Sequence, residues 1–219
     1  MAESVRPGVF FELPEGLPRG QHRLSRKQVR DAQRERLLTA FTELLADRGY
    51  AKLRVADVAG RAAVSNNTFY ELFANKEDCA CAAFDRFVEV VRRGAASAGV
   101  GESRTWREFI QAAVGGYFDV LAADPVVARA FHVDMDTIGP VARKRQATAL
   151  LRFAEHRMRA EKALRRDDPL LKARPFSVHL GSIHVEHELA REALEASTEP
   201  DFHQLSVELV EWFVASWYG

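Results

Sequence analysis

The sequence predicts an all-α protein: an N-terminal three-helix unit with a helix-turn-helix inside it, followed by a larger helical body, about nine helices in all. Three observations predict it. Apolar residues recur with a 3.6-residue period along most of the chain, and no stretch shows convincing period-two alternation. Residues 53–76, LRVADVAGRAAVSNNTFYELFANK, hold two short helical patterns joined by a tight turn. The chain has 219 residues, of which 47% are hydrophobic, enough to bury a sizeable core in one or two domains.

Residues 1–23 carry Pro7, Gly8, Pro14, Gly16, Pro18 and Gly20 without a sustained period, so a flexible N-terminal arm with no core of its own is expected there. Ser25 can cap a first helix whose face is Leu37, Leu38, Phe41, Leu44 and Leu45, and Gly49 ends it. Val55, Val58, Ala59 and Ala62 make a short apolar face; Ala63 and Val64 form a turn; Ser65 caps a helix from Asn66 to about Phe73. Its inner face is Phe69, Leu72 and Phe73. Helices this short need the first helix as a platform. Asn66, Asn67, Thr68 and Tyr70 are thereby left at the exposed start of the second short helix.

The formal charge is zero, but it is unevenly placed. Residues 19–76 hold twelve Lys/Arg against six Asp/Glu, a net +6, and the rest of the chain carries −6. A basic module on an acidic body suits a polyanion at one end, although a solvated basic helix face would give the same count. The start of the second helix of a helix-turn-helix is the end that enters a major groove. For the basic run at 17–23 two readings stand: an arm in the minor groove, or a solvated tail.

The ordered string RERLLTAFTELLADRGY, then VADVAGRAAVSNNTFYELFANKEDC, resembles the N-terminal DNA-binding domain of the TetR (tetracycline repressor) family of transcriptional regulators, over residues 33–87. The resemblance implies that Asn66, Asn67 and Thr68 face base edges, while Ser65, Tyr70 and Lys76 hold the phosphate backbone. The chemistry agrees, since Asn pairs bidentately with adenine and hydroxyl and ammonium groups donate to phosphate oxygens. Three positions depart from the family's habit. Arg54 stands where Ser or Thr is usual, so a helix cap is lost or replaced, with Arg54 itself able to reach a phosphate. Ala63 stands where Gly is common, which makes a left-handed turn residue less comfortable. Asn66 and Asn67 put no charge beside Ser65. The expected boundaries are 1–23 for the arm, 24–76 for the DNA-binding domain and 77–219 for a ligand-binding and dimerisation domain.

In the body, Lys76 opens a helix with Ala80, Phe84, Phe87, Val88 and Val91 on one stripe, ending near Gly94. A second stripe runs from Trp106 to Leu121 within a helix expected from Arg104, and Asp124-Pro125 starts a short helix to about His132. Pro140 opens a long helix through Met158, and residues 165–175 break it. The last two helices carry Phe176, Leu180, Ile183, His187, Ala190 and Leu194, then Phe202, Leu205, Leu209, Trp212, Phe213 and Trp217. The final helix is apolar on nearly all sides, so it must be covered on nearly all sides, and a second copy of the chain is the cover expected. The family resemblance implies the same: a homodimer through His187, Leu194, Phe202, Leu205, Leu209, Trp212, Phe213 and Trp217, reading a near-palindromic double-stranded operator. It also implies a small-molecule effector in the C-terminal domain. Candidate walls are Phe109, Tyr117, Phe118, Phe131, Met135, Phe153 and Phe176, with His132 and His184 as polar partners; each fits a plain core or surface role equally well.

Other chemistries find little support. The groups His132, Asp134, Asp136 and His184, His187, Glu188 lack a specific metal-site spacing, and Asp136 is as well explained as a helix cap. Cys79 and Cys81 lie two apart on a helix and suit neither a disulfide nor a metal. No nucleophile elbow or phosphate loop is present, so no enzyme activity and no cofactor are expected. No run spans a bilayer and no secretory core is seen, so a cytoplasmic place without a membrane partner is expected. The sequence thus points to a ligand-responsive transcriptional regulator, most simply a homodimeric repressor. Its rivals are a helical small-molecule binder that has lost DNA reading, argued by Arg54 and by the missing basic residue beside Ser65, and an enzyme, argued by the acidic and histidine groups of the body alone.

Overall fold

The computed structural model describes residues 4–12, 25–96 and 105–219. Among these, α1 (Arg26–Arg48), α2 (Val55–Arg61), α3 (Asn66–Leu72), α4 (Lys76–Ala96), α5 (Trp106–Ala123), α6 (Pro125–His132), α7 (Met135–Ile138), α8 (Pro140–Leu164), α9 (Phe176–Ala196) and α10 (Phe202–Tyr218) follow in order. A single 3-10 turn, Tyr50–Lys52, joins α1 to α2, and no strand forms among the described residues. No helix among them is long and apolar enough to cross a membrane. The basic run at 17–23 and residues 97–104 lie outside the described residues.

Local chemistry sets the helix ends. Ser25 Oγ accepts from Gln28 N–H at 3.2 Å while Gln28 Oε1 accepts from Ser25 N–H at 2.8 Å, a reciprocal capping box. Gly49, at φ 71°, closes α1 by donating to the Leu45 carbonyl. Thr105 caps α5, its Oγ accepting from Glu108 N–H at 3.2 Å, and the expected start at Arg104 lies outside the described residues. Residues 135–138 wind into the four-residue α7, which places Asp136 inside a helical turn instead of ahead of one.

The chain divides into two compact units. Unit 1 comprises Met1–Phe87 and Val126–Arg143, and unit 2 comprises Val88–Pro125 and Lys144–Gly219. In unit 1 the predicted face of α1 is buried, and Phe41 and Leu45 share the core with Val58, Phe69 and Phe73. The sequence grouped α6 and α7 with the body, but they cluster in unit 1. Phe131 packs on Phe84 and Phe87 of α4, with ring centroids 5.9 and 5.2 Å apart, and His132 meets Phe87 edge-on at 5.5 Å. Residues 4–12 also depart from the flexible arm expected there. Val5, Phe10 and Phe11 are buried, so this short segment borrows the core of unit 1.

In unit 2, α10 packs chiefly on α5. Trp217 lies 5.1 Å from Trp106, and Phe202 lies 5.5 Å from Phe118. The backbones of α4 and α5 approach closely where Gly94 meets Gly116. A buried polar cluster joins α8 to α9 and α10. Arg157 pairs with Glu186 and donates to Ser182 Oγ at 2.8 Å, and Glu161 Oε2 accepts from Trp217 Nε1 at 3.2 Å and Arg174 N–H at 3.0 Å. Burial pushes the Glu186 carboxyl up, against the pull of Arg157.

Candidate DNA-binding site

The helix-turn-helix is built from α2, a left-handed turn and α3. Ala63 sits at φ 51°, its N–H donating to the Gly60 carbonyl at 3.1 Å, and Val64 N–H reaches back to the Ala59 carbonyl at 3.0 Å. Those two bonds are the Schellman pattern that ordinarily employs glycine at the left-handed position, so the strain read from Ala63 is present in the fold. The Ser/Thr cap on α2 is missing, and only the reciprocal half of a capping box is made. Arg54 supplies no side-chain cap, and Asp57 Oδ2 accepts the Arg54 N–H at 3.1 Å. That half was legible as an acidic residue three positions after Arg54.

Ser65 caps α3 as expected, its Oγ accepting from Thr68 N–H at 3.0 Å, and the two hydroxyls lie 3.0 Å apart. Asn66 and Asn67 are exposed on the first turn, Thr68 is half-buried, and Tyr70 is 59% exposed with its ring edge-on to buried Phe69. Ser65, Asn66, Asn67, Thr68 and Tyr70 therefore gather at one end of α3, carried on Phe69 and Phe73. Arg54 is exposed at the start of α2.

Lys76 is placed differently. Its Nζ donates to the carbonyls of Tyr50 and Leu53 at 2.9 and 2.8 Å and lies 3.8 Å from the Tyr50 ring centroid. Burial lowers its pKa. The ammonium thus clamps the turn before α2, whereas the sequence offered it to a phosphate. Sequence reading also missed three contacts that orient the reader. Arg61 of α2 pairs with Glu43 of α1 at 2.7 Å, Arg30 donates to the Glu71 carbonyl at 3.3 Å, and Arg34 lies over the Phe73 ring. Spacing within one helix carries no signal for contacts between helices.

Comparison with known proteins agrees with this geometry. Residues 37–83 match the family model described as bacterial regulatory proteins, tetR family. The likeness to that family thus covers α2, α3 and the parts of α1 and α4 that flank them. The HTH-type transcriptional activator FasR of Mycolicibacterium smegmatis (strain ATCC 700084 / mc(2)155) is 32% identical over 107 residues, 49% of this chain and 48% of that relative. The match thus spans about half the relative's length. Among solved structures, the fatty acid degradation regulator FadR from Bacillus halodurans superposes with a TM-score of 0.72 at 18% identity, covering 82% of this chain and 93% of that one. FadR from Bacillus subtilis in complex with stearoyl-CoA gives 0.71 at 19% identity, covering 80% and 95%. At these identities the two structures establish the fold alone.

The residues named for an effector do not fall in one unit. Phe109, Tyr117, Phe118, Phe153, Phe176 and His184 belong to unit 2, and Phe131, His132 and Met135 to unit 1. Phe109 and Phe118 are buried, Tyr117, Phe153 and Phe176 are half-buried, and His184 is exposed. Phe118 also lines an open groove of about 380 Å3 with Phe202 and Val210. Phe131, His132 and Met135 are buried in the core of unit 1. No group of three or more metal-ligating side chains forms among the described residues.

Of the expected dimer residues, Leu194 of α9 is already covered by its own chain, as are Phe202, Leu209, Phe213 and Trp217 of α10, which lies chiefly against α5. Trp212 stays 51% exposed, Val207 on the same helix 48%, and His187 and Leu205 are half-buried. His187 meets Gln146 of α8 at 3.2 Å.

Proposed function

We propose that this chain is a sequence-specific transcriptional regulator that binds a near-palindromic DNA operator as a homodimer. The observation that carries the reading is the exposed first turn of α3, with Asn66 and Asn67 projecting from a rigid Schellman turn and a hydroxyl cap. That arrangement is what base-edge readout by asparagine requires. Ser65, Thr68, Tyr70 and Arg54 surround it as donors for phosphate oxygens. Residues 24–76 are the reader, and the body supplies effector binding and self-association. Trp212, Val207, Leu205 and His187 are the face left for a second copy, which would hold two readers about 34 Å apart, one DNA turn. The reading assigns no catalytic step.

A small effector changes operator affinity by binding two states of the protein unequally. The complex of Bacillus subtilis FadR with stearoyl-CoA supports a long-chain acyl thioester as the first effector to test, in keeping with the aromatic lining named in unit 2. The reading takes the protein as a repressor. The activator FasR supports a second reading of opposite sign, in which the bound protein recruits transcription.

The test is footprinting on DNA upstream of its own gene at moderate salt, followed by anisotropy titration with and without stearoyl-CoA. A protected inverted repeat supports the reading; no protection, where a control regulator protects its site, overturns it. At that operator Asn67→Ala should cost about 1–3 kcal/mol and leave binding to random DNA unchanged. Equal loss on both would remove direct readout by Asn67.

A further inference from the structure

The segment 4–12 makes contacts that a solvated arm would not make. Pro7 and Phe11 bridge around Gly8, whose N–H donates to the Phe11 carbonyl at 3.0 Å and whose φ is 81°. This tight loop presents Phe10 and Phe11, 2% and 1% exposed, to unit 1. Phe10 stacks on Phe87 of α4 with centroids 5.5 Å apart and planes 21° apart. Phe87 in turn packs on Phe131 and His132 of α6.

Two charged anchors hold the same segment. Glu43 of α1 is shared, its Oε1 accepting from Val5 N–H at 3.2 Å and its Oε2 from Arg61 Nε of α2 at 2.8 Å. Arg86 of α4 is shared too. Its guanidinium pairs bidentately with Glu35 of α1 at 2.6 and 3.2 Å and donates from Nη1 to the Phe10 carbonyl at 3.4 Å. Both ion pairs are partly buried, with Glu43 and Glu35 side chains 10% and 16% exposed, so solvent screens them less than surface pairs. Segment 4–12 therefore touches, directly or through one shared carboxylate or ring, α1, α2, α4 and α6.

We propose that residues 4–12 are an intramolecular strap that positions the helix-turn-helix: seated, they fix α2 and α4 against α1 in the geometry that binds the operator. Releasing the strap costs operator affinity without touching a DNA-facing side chain. Phe10 and Phe11 are positioning residues, and Glu43 is the joint between strap and α2. The proposal rests on the DNA-binding reading above, and its test separates the two.

The variant is the full chain with Phe10→Ala and Phe11→Ala together, beside Phe10→Leu as a milder replacement that keeps the site apolar and most of its volume filled. Coupling energies through packed networks correspond to affinity changes of about 2- to 30-fold. The double variant should bind the operator weaker by that factor with unchanged affinity for random DNA and unchanged helix content, and Phe10→Leu should retain wild-type affinity. A synthetic peptide of residues 4–12 added in trans should restore binding saturably in the double variant and do nothing to wild type. Amide exchange should show residues 38–45 and 84–88 losing protection in the double variant. Unchanged operator affinity alongside lost protection overturns the proposal, as does unchanged protection. If wild type itself prefers no DNA sequence, the regulator reading fails, and exchange alone then decides whether the strap holds these helices.

Discussion

Replacing Ala63 by glycine should make the protein more stable, although the change deletes a side-chain carbon. Ala63 sits at φ 51°, where a Cβ crowds the following carbonyl and costs an L-residue about 1–2 kcal/mol. Glycine removes that cost but gives the unfolded chain more freedom, which takes back about 0.5–1 kcal/mol. The Ala63 side chain is exposed, so no packing is lost. The Schellman bonds to Gly60 and Ala59 involve backbone alone and survive the change. A net gain of about 0.5–1 kcal/mol follows, or about 2–3 °C in Tm for a chain of this size. Thermal unfolding followed by circular dichroism at neutral pH measures it, with Ala63→Val as a control that should lower Tm because β-branching is worse in this region. Operator affinity of Ala63→Gly should equal wild type or exceed it slightly. A fall in Tm for the glycine variant would refute the claim that the turn is strained.

Three further outcomes follow from contacts in the structure. Lys76→Ala should lower Tm by leaving the Tyr50 and Leu53 carbonyls without their ammonium, at about 1–3 kcal/mol, while the slope of log K against log salt stays as in wild type; a slope reduced by about one would show that Lys76 reaches a phosphate after all. The adjacent glycines of α5 should respond with opposite signs. A Cβ on Gly115 meets nothing within 4 Å, so Gly115→Ala should stabilise by about 0.5–1 kcal/mol, whereas a Cβ on Gly116 would lie 2.8 Å from the Gly94 carbonyl carbon and closer still to its oxygen. Gly116→Ala should therefore destabilise by about 1–3 kcal/mol in chemical denaturation, and equal signs at both sites would contradict the close helix crossing. Acid should weaken unit 2, because burial holds the His156 pKa below its ordinary value, with Arg159 and Arg157 adding to the effect. The unfolded chain then binds more protons than the folded one as pH falls through the ordinary histidine range, so stability is full above that range and is lost below it. Replacing His156 by Phe, beside Phe109, should flatten the Tm profile between about pH 7.5 and 5.5, and an unflattened profile would assign the loss to other groups.

The placement of the reader was legible because helix-turn-helix information is local. Ser25, Gly49 and Ser65 act on amides within a few residues of themselves, and the 3.6-residue stripe of α1 names its own buried face. Ala63 announced strain for the same reason: a left-handed position depends on the residue that occupies it. The ligand and dimer residues were harder to place, since an apolar stripe says that a face is covered but not by what. For α10 the cover is largely α5, and for Phe131 it is Phe84 and Phe87.

What the sequence determined by itself is therefore most of the helices, the ends set by Ser25, Gly49 and Ser65, the strained turn and the exposed asparagines at the start of α3. Tertiary structure decided the rest, because those choices depend on groups far apart in the chain. It turned the Lys76 ammonium onto the carbonyls of Tyr50 and Leu53, set Asp57 against the Arg54 N–H, and grouped α6 and α7 with the reader. It also drew Phe10 and Phe11 out of a proline- and glycine-bearing segment into a core built by other helices. A segment with two aromatic residues and no period has too little surface to fold alone, and only the aromatic face of α4 and the carboxylate of Glu43 give it a place to bind.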